Sequence, residues 1–272
     1  MKKILIPTDF SQNATNAFDY TLDLCKGQKL NIHIISVINP DIVTVDVPLS
    51  TIDLTDIEYK EAIQKLKELK TQHANDLITI TTEVKISTIT RGIIRAAKEQ
   101  EADLIVMGTR GTNHNKYDKI LGTISSDILI DTPCPVILVP IDYKFKTIDN
   151  LVFASQMNHQ DPYELWRATE LLKPQVAQLR ILYVMKDNDT TKSKELNQFA
   201  QYMVEHSPSI QSIFNIVESN DVEHAIEEYA ETYDAELIVM HRSKKSFLKN
   251  ILSKRHTKAM TSIINRPLMI IN

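Results

Sequence analysis

Glycine is scarce in this sequence. Five occur in 272 residues, at positions 27, 92, 108, 111 and 122, and none follows Gly122. Cysteine is scarcer still. Cys25 and Cys134 are too few for a disulfide framework and fit a reducing compartment, where both are expected as buried small hydrophobes. Basic residues hold no excess: 31 Lys and Arg stand against 35 Asp and Glu, a formal net charge of −4. That excludes a dispersed basic surface for gripping nucleic acid. No apolar stretch approaches the length of a membrane span. The opening Met1-Lys2-Lys3-Ile4-Leu5-Ile6 looks like a secretory leader only until Pro7, Thr8 and Asp9 break its apolar run, so it reads as a first strand. The expectation is a soluble, cytoplasmic protein with neither nucleic acid nor membrane as partner.

Several catalytic motifs are missing too. There is no Gly-Lys-Ser/Thr ending of the Walker type, which argues against a motor or kinase-like NTPase. No Gly-x-Ser-x-Gly elbow occurs. The 8 histidines never stand four apart, and no cysteine or obvious carboxylate completes a set around His241 and His256, so no metal site is expected.

What the chain does have is an internal repeat. Ala102-Asp103-Leu104-Ile105-Val106-Met107 returns as Ala235-Glu236-Leu237-Ile238-Val239-Met240, and Ile4-Leu5-Ile6-Pro7-Thr8 returns as Leu151-Val152-Phe153-Ala154-Ser155. Ile32–Val37 matches Leu179–Val184, and Pro135–Val139 matches Pro267–Ile271. The matches keep their order, as a duplication requires. Their offset falls from 147 (151 minus 4) to 133 (235 minus 102), so the first copy carries about fourteen extra residues. These are placed mostly in Pro40–Thr55, read as a long loop. Ile141–Asp149 reads as a short polar linker between domains 1–142 and 148–272.

Within each copy short apolar runs alternate with amphipathic stretches. Lys3–Pro7, Ile32–Ile38, Ile80–Ile86, Leu104–Met107 and Val136–Pro140 suit buried parallel strands. Ile57–Ala74 reads as a helix with Ile63, Leu66 and Leu69 on its inner face; Ile93–Lys98, Ile120–Ile130 and Tyr163–Leu172 also read as helical. Trp166 on the last of these is expected in a core or interdomain position. Alternation of strand and helix predicts an α/β fold, a doubly wound parallel sheet in each half.

Ligands of such sheets lie at the carboxyl ends of strands where the winding reverses. Pro7-Thr8-Asp9-Phe10-Ser11 follows the first strand; Asp9 suits either a ribose hydroxyl or a plain turn, and Ser11 suits a helix cap. Met107-Gly108-Thr109-Arg110-Gly111 follows a later strand, and Gly122-Thr123-Ile124-Ser125 opens the next helix. Glycines let backbone N–H groups reach phosphate oxygens, a helix start adds donors, and the Arg110 guanidinium suits phosphate. Lys116 and Lys119 are read as solvated.

Three segments resemble the universal stress protein A family: Lys3–Ser11, Val106–Gly111, and Pro133-Cys134-Pro135-Val136-Ile137-Leu138-Val139. The whole chain looks like a tandem member. The resemblance implies five parallel strands per domain, adenine-nucleotide-hydrolase-like architecture, pairing of domains through their last strands as an intramolecular pseudo-dimer with a further homodimer open, and ATP binding in some members. The family's signature is Gly, two residues, Gly, nine residues, then Gly-Ser/Thr; here ten residues precede Gly122-Thr123. Carried over, Pro7, Thr8 and Asp9 lie at the ribose and the Val37 backbone at adenine. Met107, Gly108, Arg110 and Gly111 lie along sugar and phosphates, and Gly122, Thr123, Ile124 and Ser125 hold the phosphates. ATP or a related adenine nucleotide, with or without Mg, is the implied ligand. In the second copy His241, Lys244, Lys254 and Arg255 stand in the signature positions, with Ala154 for Pro7 and Gln156 for Asp9, so this half reads as a degenerate structural partner. Three functions stay open: a regulatory nucleotide-binding stress protein, a slow ATPase using the same pocket, and a scaffold that binds no nucleotide. The first is favoured by Asp9 and the three glycines.

Overall fold

Apolar runs bounded by turns become the interior strands of two compact units, whose described residues fall within Met1–Asp142 and Tyr143–Asn272. A computed structural model describes residues 2–40, 51–109, 123–157, 160–172, 176–187, 193–206, 211–241 and 265–271. The first unit runs β1 (Lys2–Pro7), α1 (Gln12–Leu24), β2 (Leu30–Ile38), α2 (Thr51–His73), β3 (Ile78–Ile86), α3 (Ile89–Glu99), β4 (Leu104–Gly108), α4 (Thr123–Asp131) and β5 (Val136–Val139). Its strands lie in the order β3-β2-β1-β4-β5, and every pairing is parallel. From β1 the winding proceeds outward to β3, then restarts on the other side at β4. Right-handed crossovers therefore put α1 and α2 on one face and α3 and α4 on the other. Ile4, Leu5, Ile6, Leu104, Ile105 and Val106 are each 1% exposed or less, as strands covered on both faces must be.

The second unit repeats the plan with β6 (Ile148–Ser155), α5 (Asp161–Leu172), β7 (Val176–Met185), α6 (Ser193–Glu205), β8 (Gln211–Glu218), α7 (Val222–Thr232), β9 (Leu237–His241) and β10 (Leu268–Ile271). Its order is β8-β7-β6-β9-β10, again parallel throughout. The duplication extends to backbone detail. Among described non-glycine residues, positive φ occurs at Phe10 (61°) and Met157 (54°), and at Glu101 (49°) and Asp234 (47°). These are two matched pairs at offsets of 147 and 133. Both copies thus keep one left-handed residue after the first strand and another before the fourth, although left-handed backbone is disfavoured for such side chains.

Some expectations shift. α2 begins at Thr51, so the last five residues of the predicted Pro40–Thr55 loop are helical; 41–50 lie outside the described residues. Its inner face is set by Ala62 and Leu66, 4% and 2% exposed, whereas Ile63 is 45% exposed. The helix is rotated by about one residue from the apolar stripe. Trp166, expected in a core or interdomain position, is not in the core: it is 46% exposed beside Tyr163 on α5. β2 and β3 start two residues early, because Leu30 and Asn31 pair with both Lys2-Lys3 and Ile78-Thr79 across the ladder. β5 ends at Val139, one residue before Pro140, which has no N–H to donate.

Candidate nucleotide mouth

In the first unit the winding reverses between β1 and β4, where Leu5 stands opposite Ile105. Two residues further on, Pro7 and Met107 bring both strands to the same end of the sheet. The chain after Pro7 is fixed by local bonds. Thr8 N donates to Ile35 O (2.8 Å), Phe10 N to Thr8 Oγ1 (3.0 Å) and Ser11 N to Asp9 Oδ1 (3.0 Å). Ser11 caps α1 by accepting from Ala14 N at 3.2 Å. Asp9 therefore holds a turn while its side chain stays exposed at the rim.

β4 delivers Gly108 against α1. A Cβ there would lie 2.5 Å from Asn13 Cγ and 2.6 Å from Nδ2, so the buried Asn13 amide would have to shift to admit any side chain, a packing reason for glycine separate from any ligand. Ser125, buried on α4, donates from Oγ toward Gly108 O (3.4 Å) and Thr109 O (3.3 Å), tying the helix to the strand end. Ile124 is half-buried beside it, and Thr123 is the first residue of α4. Val37, near the end of β2, packs on α3: a Cβ at Gly92 would meet its Cγ1 at 2.8 Å. Pro7, Thr8, Asp9, Val37, Met107, Gly108 and Ser125 thus stand at the carboxyl ends of β1, β2 and β4. Arg110, Gly111 and Gly122 lie outside the described residues.

The matching end of the second unit differs chemically. Seven of the eight buried positions of α1 (Asn13, Ala14, Asn16, Ala17, Tyr20, Thr21, Leu24) recur on α5 as Asp161, Pro162, Glu164, Leu165, Ala168, Thr169, Leu172, at an offset of 148; the eighth, Phe18, corresponds to the exposed Trp166. Two neutral amides have become two carboxylates. Asn16 donates from Nδ2 to Pro140 O (3.0 Å), whereas its counterpart Glu164 meets His241 Nε2 at 2.8 Å. Asp161 accepts from Ser155 Oγ at 2.5 Å and Gln156 N at 3.1 Å. His241, at the end of β9, takes the place of Gly108. Glu164 lies 77 positions before His241 in the chain, so sequence proximity did not reveal the pair, and one carboxylate does not complete a metal set. Glu164 Oε2 and His241 Nδ1 are buried without a hydrogen-bond partner. Among the described residues, no group of three metal-ligating side chains occurs.

A parallel sheet with paired helices on each face and a winding that reverses between β1 and β4 defines a doubly wound, Rossmann-like α/β domain. The universal stress protein family model matches residues 1–140, and the chain belongs to that family. It is 28% identical over 143 residues to universal stress protein MJ0531 of Methanocaldococcus jannaschii, covering 51% of this chain and 81% of that protein. It is 30% identical over 145 residues to universal stress protein YxiE of Bacillus subtilis, covering 50% of this chain and 97% of that one. A universal stress protein structure from Archaeoglobus fulgidus superposes on 99% of this chain and 96% of its own, with a TM-score of 0.73 at 22% identity, a likeness of fold. No helix among the described residues is long and apolar enough to cross a membrane.

Proposed function

We propose that the first unit binds an adenine nucleotide of the ATP type, with or without Mg, and that its occupancy is the signal rather than strong catalysis. One contrast carries this reading. At matched positions the first mouth presents Gly108 and the amides Asn13 and Asn16, while the second presents His241, Asp161 and Glu164. Fixed buried carboxylates repel a polyphosphate, whereas neutral amides and strand-end N–H groups do not. The family resemblance, with ATP binding in some members, supports the same assignment, as do Arg110, Gly111 and Gly122 in the sequence. The site is Pro7, Thr8, Asp9, Val37, Met107, Gly108, Arg110, Gly111, Gly122, Thr123, Ile124 and Ser125. The test is Gly111→Val and Gly122→Val. Each is expected to abolish ATP binding with the circular-dichroism spectrum and unfolding midpoint retained; unchanged affinity in a folded variant refutes the phosphate role. Phosphate release measured on the wild type separates mere binding from a slow ATPase.

From the same resemblance we propose an intramolecular pseudo-dimer. Light scattering at the mass of one chain, 31.1 kDa, supports it. Independent tumbling of the two halves, read from ¹⁵N relaxation of the full chain, argues against it.

A further inference from the structure

The first unit has a cavity at the end of the sheet opposite the candidate mouth. Its volume is about 320 Å³, and its polar lining includes Lys3, Asn31, His33, Thr81, Glu99 and Gln100. Lys3 and Asn31 lie early in β1 and β2, and Glu99 and Gln100 close α3, so the site shares no residue with the mouth. Cavities of this size accept small ligands.

The duplication shows what chemistry this place accepts. His33 stands between Leu5 and Thr81 in the sheet, as Arg180 stands between Val152 and Ile213. Gln100 is the C-cap of α3 and Tyr233 the C-cap of α7. Lys3 and Asn31 pair across β1 and β2 as Asn150 and Gln178 pair across β6 and β7. In the second unit the Arg180 guanidinium fills this position. Its Nε donates to Asn150 Oδ1 (2.9 Å), its Nη2 to Gln178 Oε1 (2.8 Å), and its Cζ lies 3.8 Å from the Tyr233 ring centre. The first copy replaces the long Arg with His33 and the Tyr with Gln100, which leaves room.

Charge follows space. Arg180 becomes the shorter His33, whose pKa burial lowers against the pull of Glu83 at 3.2 Å, and Thr232 becomes the carboxylate Glu99. Glu99 is held in its charged form by Lys85 on Oε2 and Arg95 on Oε1, so a cation entering the cavity competes with these two partners for it. The C-terminal carbonyls of α3 add negative potential at the same end. Lys3, the one cation in the lining, is engaged by Glu101 at 2.8 Å. The Asn31 amide retains the acceptor that Gln178 supplies in the other copy.

We infer that this cavity is a binding site for a small planar cation of the guanidinium class, taking the place that Arg180 fills in the second unit. The full chain, ¹⁵N-labelled, is titrated with methylguanidinium, and with methylurea as a neutral probe of the same shape. Saturable amide shifts at Asn31, Thr81 and Gln100 are expected, with a Kd on the order of 1–10 mM for so small a ligand, and at least about tenfold weaker response to methylurea. A His33→Arg/Gln100→Tyr variant, which installs the tethered group of the second unit, is expected to lose the response with a dispersed spectrum. Should that variant not fold, Glu99→Gln is expected to weaken binding at least about fivefold. The inference is overturned by no saturable shift, by equal response to methylurea, or by full response in the folded double variant or in Glu99→Gln.

Discussion

Gly92 offers a test in which two opposing effects can be weighed. It lies in α3, its N–H bonded to Thr88 O at 2.9 Å, in a conformation any residue adopts. Alanine there gains up to about 1 kcal/mol of helix propensity. The new methyl, however, would lie 2.8 and 2.9 Å from the two Cγ atoms of Val37 and 3.4 Å from its Cβ. Both branches are in the way, and a β-branched side chain on a strand cannot rotate clear of both. Overpacking of this kind costs about 1–3 kcal/mol, so Gly92→Ala is expected to destabilise the first unit by roughly 0–2 kcal/mol net. Val37→Ala removes both branches. In that background Gly92→Ala is expected to stabilise by up to about 1 kcal/mol, a reversal of sign. Denaturant unfolding of the four-member cycle reads the coupling, followed by a probe confined to the first unit. Equal effects of Gly92→Ala in both backgrounds would falsify the argument that Val37 fixes this glycine.

Other perturbations follow from the same geometry. Ser11→Ala removes the α1 cap and is expected to cost about 1 kcal/mol in urea unfolding, with Ser11→Asp close to neutral. His241→Ala strands the buried Glu164 carboxylate and is expected to cost the second unit about 3 kcal/mol; a loss below about 0.5 kcal/mol would mean that water already serves Glu164. Burial pushes the Cys25 thiol up to about 11, so about one thousandth of it is thiolate at pH 8. Alkylation of Cys25, followed by peptide mass spectrometry, should be slow in the native chain and fast in denaturant.

The fold was legible because strand and helix each impose a period on the sequence. Ile4–Ile6, Ile32–Ser36 and Leu104–Met107 are buried on both faces, and such runs have few alternatives. The in-register return of these runs made the second sheet readable from the first. What the pattern could not show was rotation about a helix axis: Ala62 turned inward and Ile63 outward, and Trp166 stands exposed on α5. Chemistry on helices was hidden for a related reason. The exchange of Asn13 and Asn16 for Asp161 and Glu164 appears only once α1 and α5 are aligned by their buried stripes, one residue away from the strand offset. Gly108 shows a different limit. Sequence assigned it to a phosphate, while its packing against Asn13 supplies a second reason for the same residue.

The asymmetry between the two mouths is tested most directly by calorimetric titration of the full chain with ATP, with and without Mg. The account predicts one site per chain, lost in Gly122→Val and unaffected by His241→Ala. Two equivalent sites, or a single site that survives Gly122→Val and disappears in His241→Ala, would contradict it.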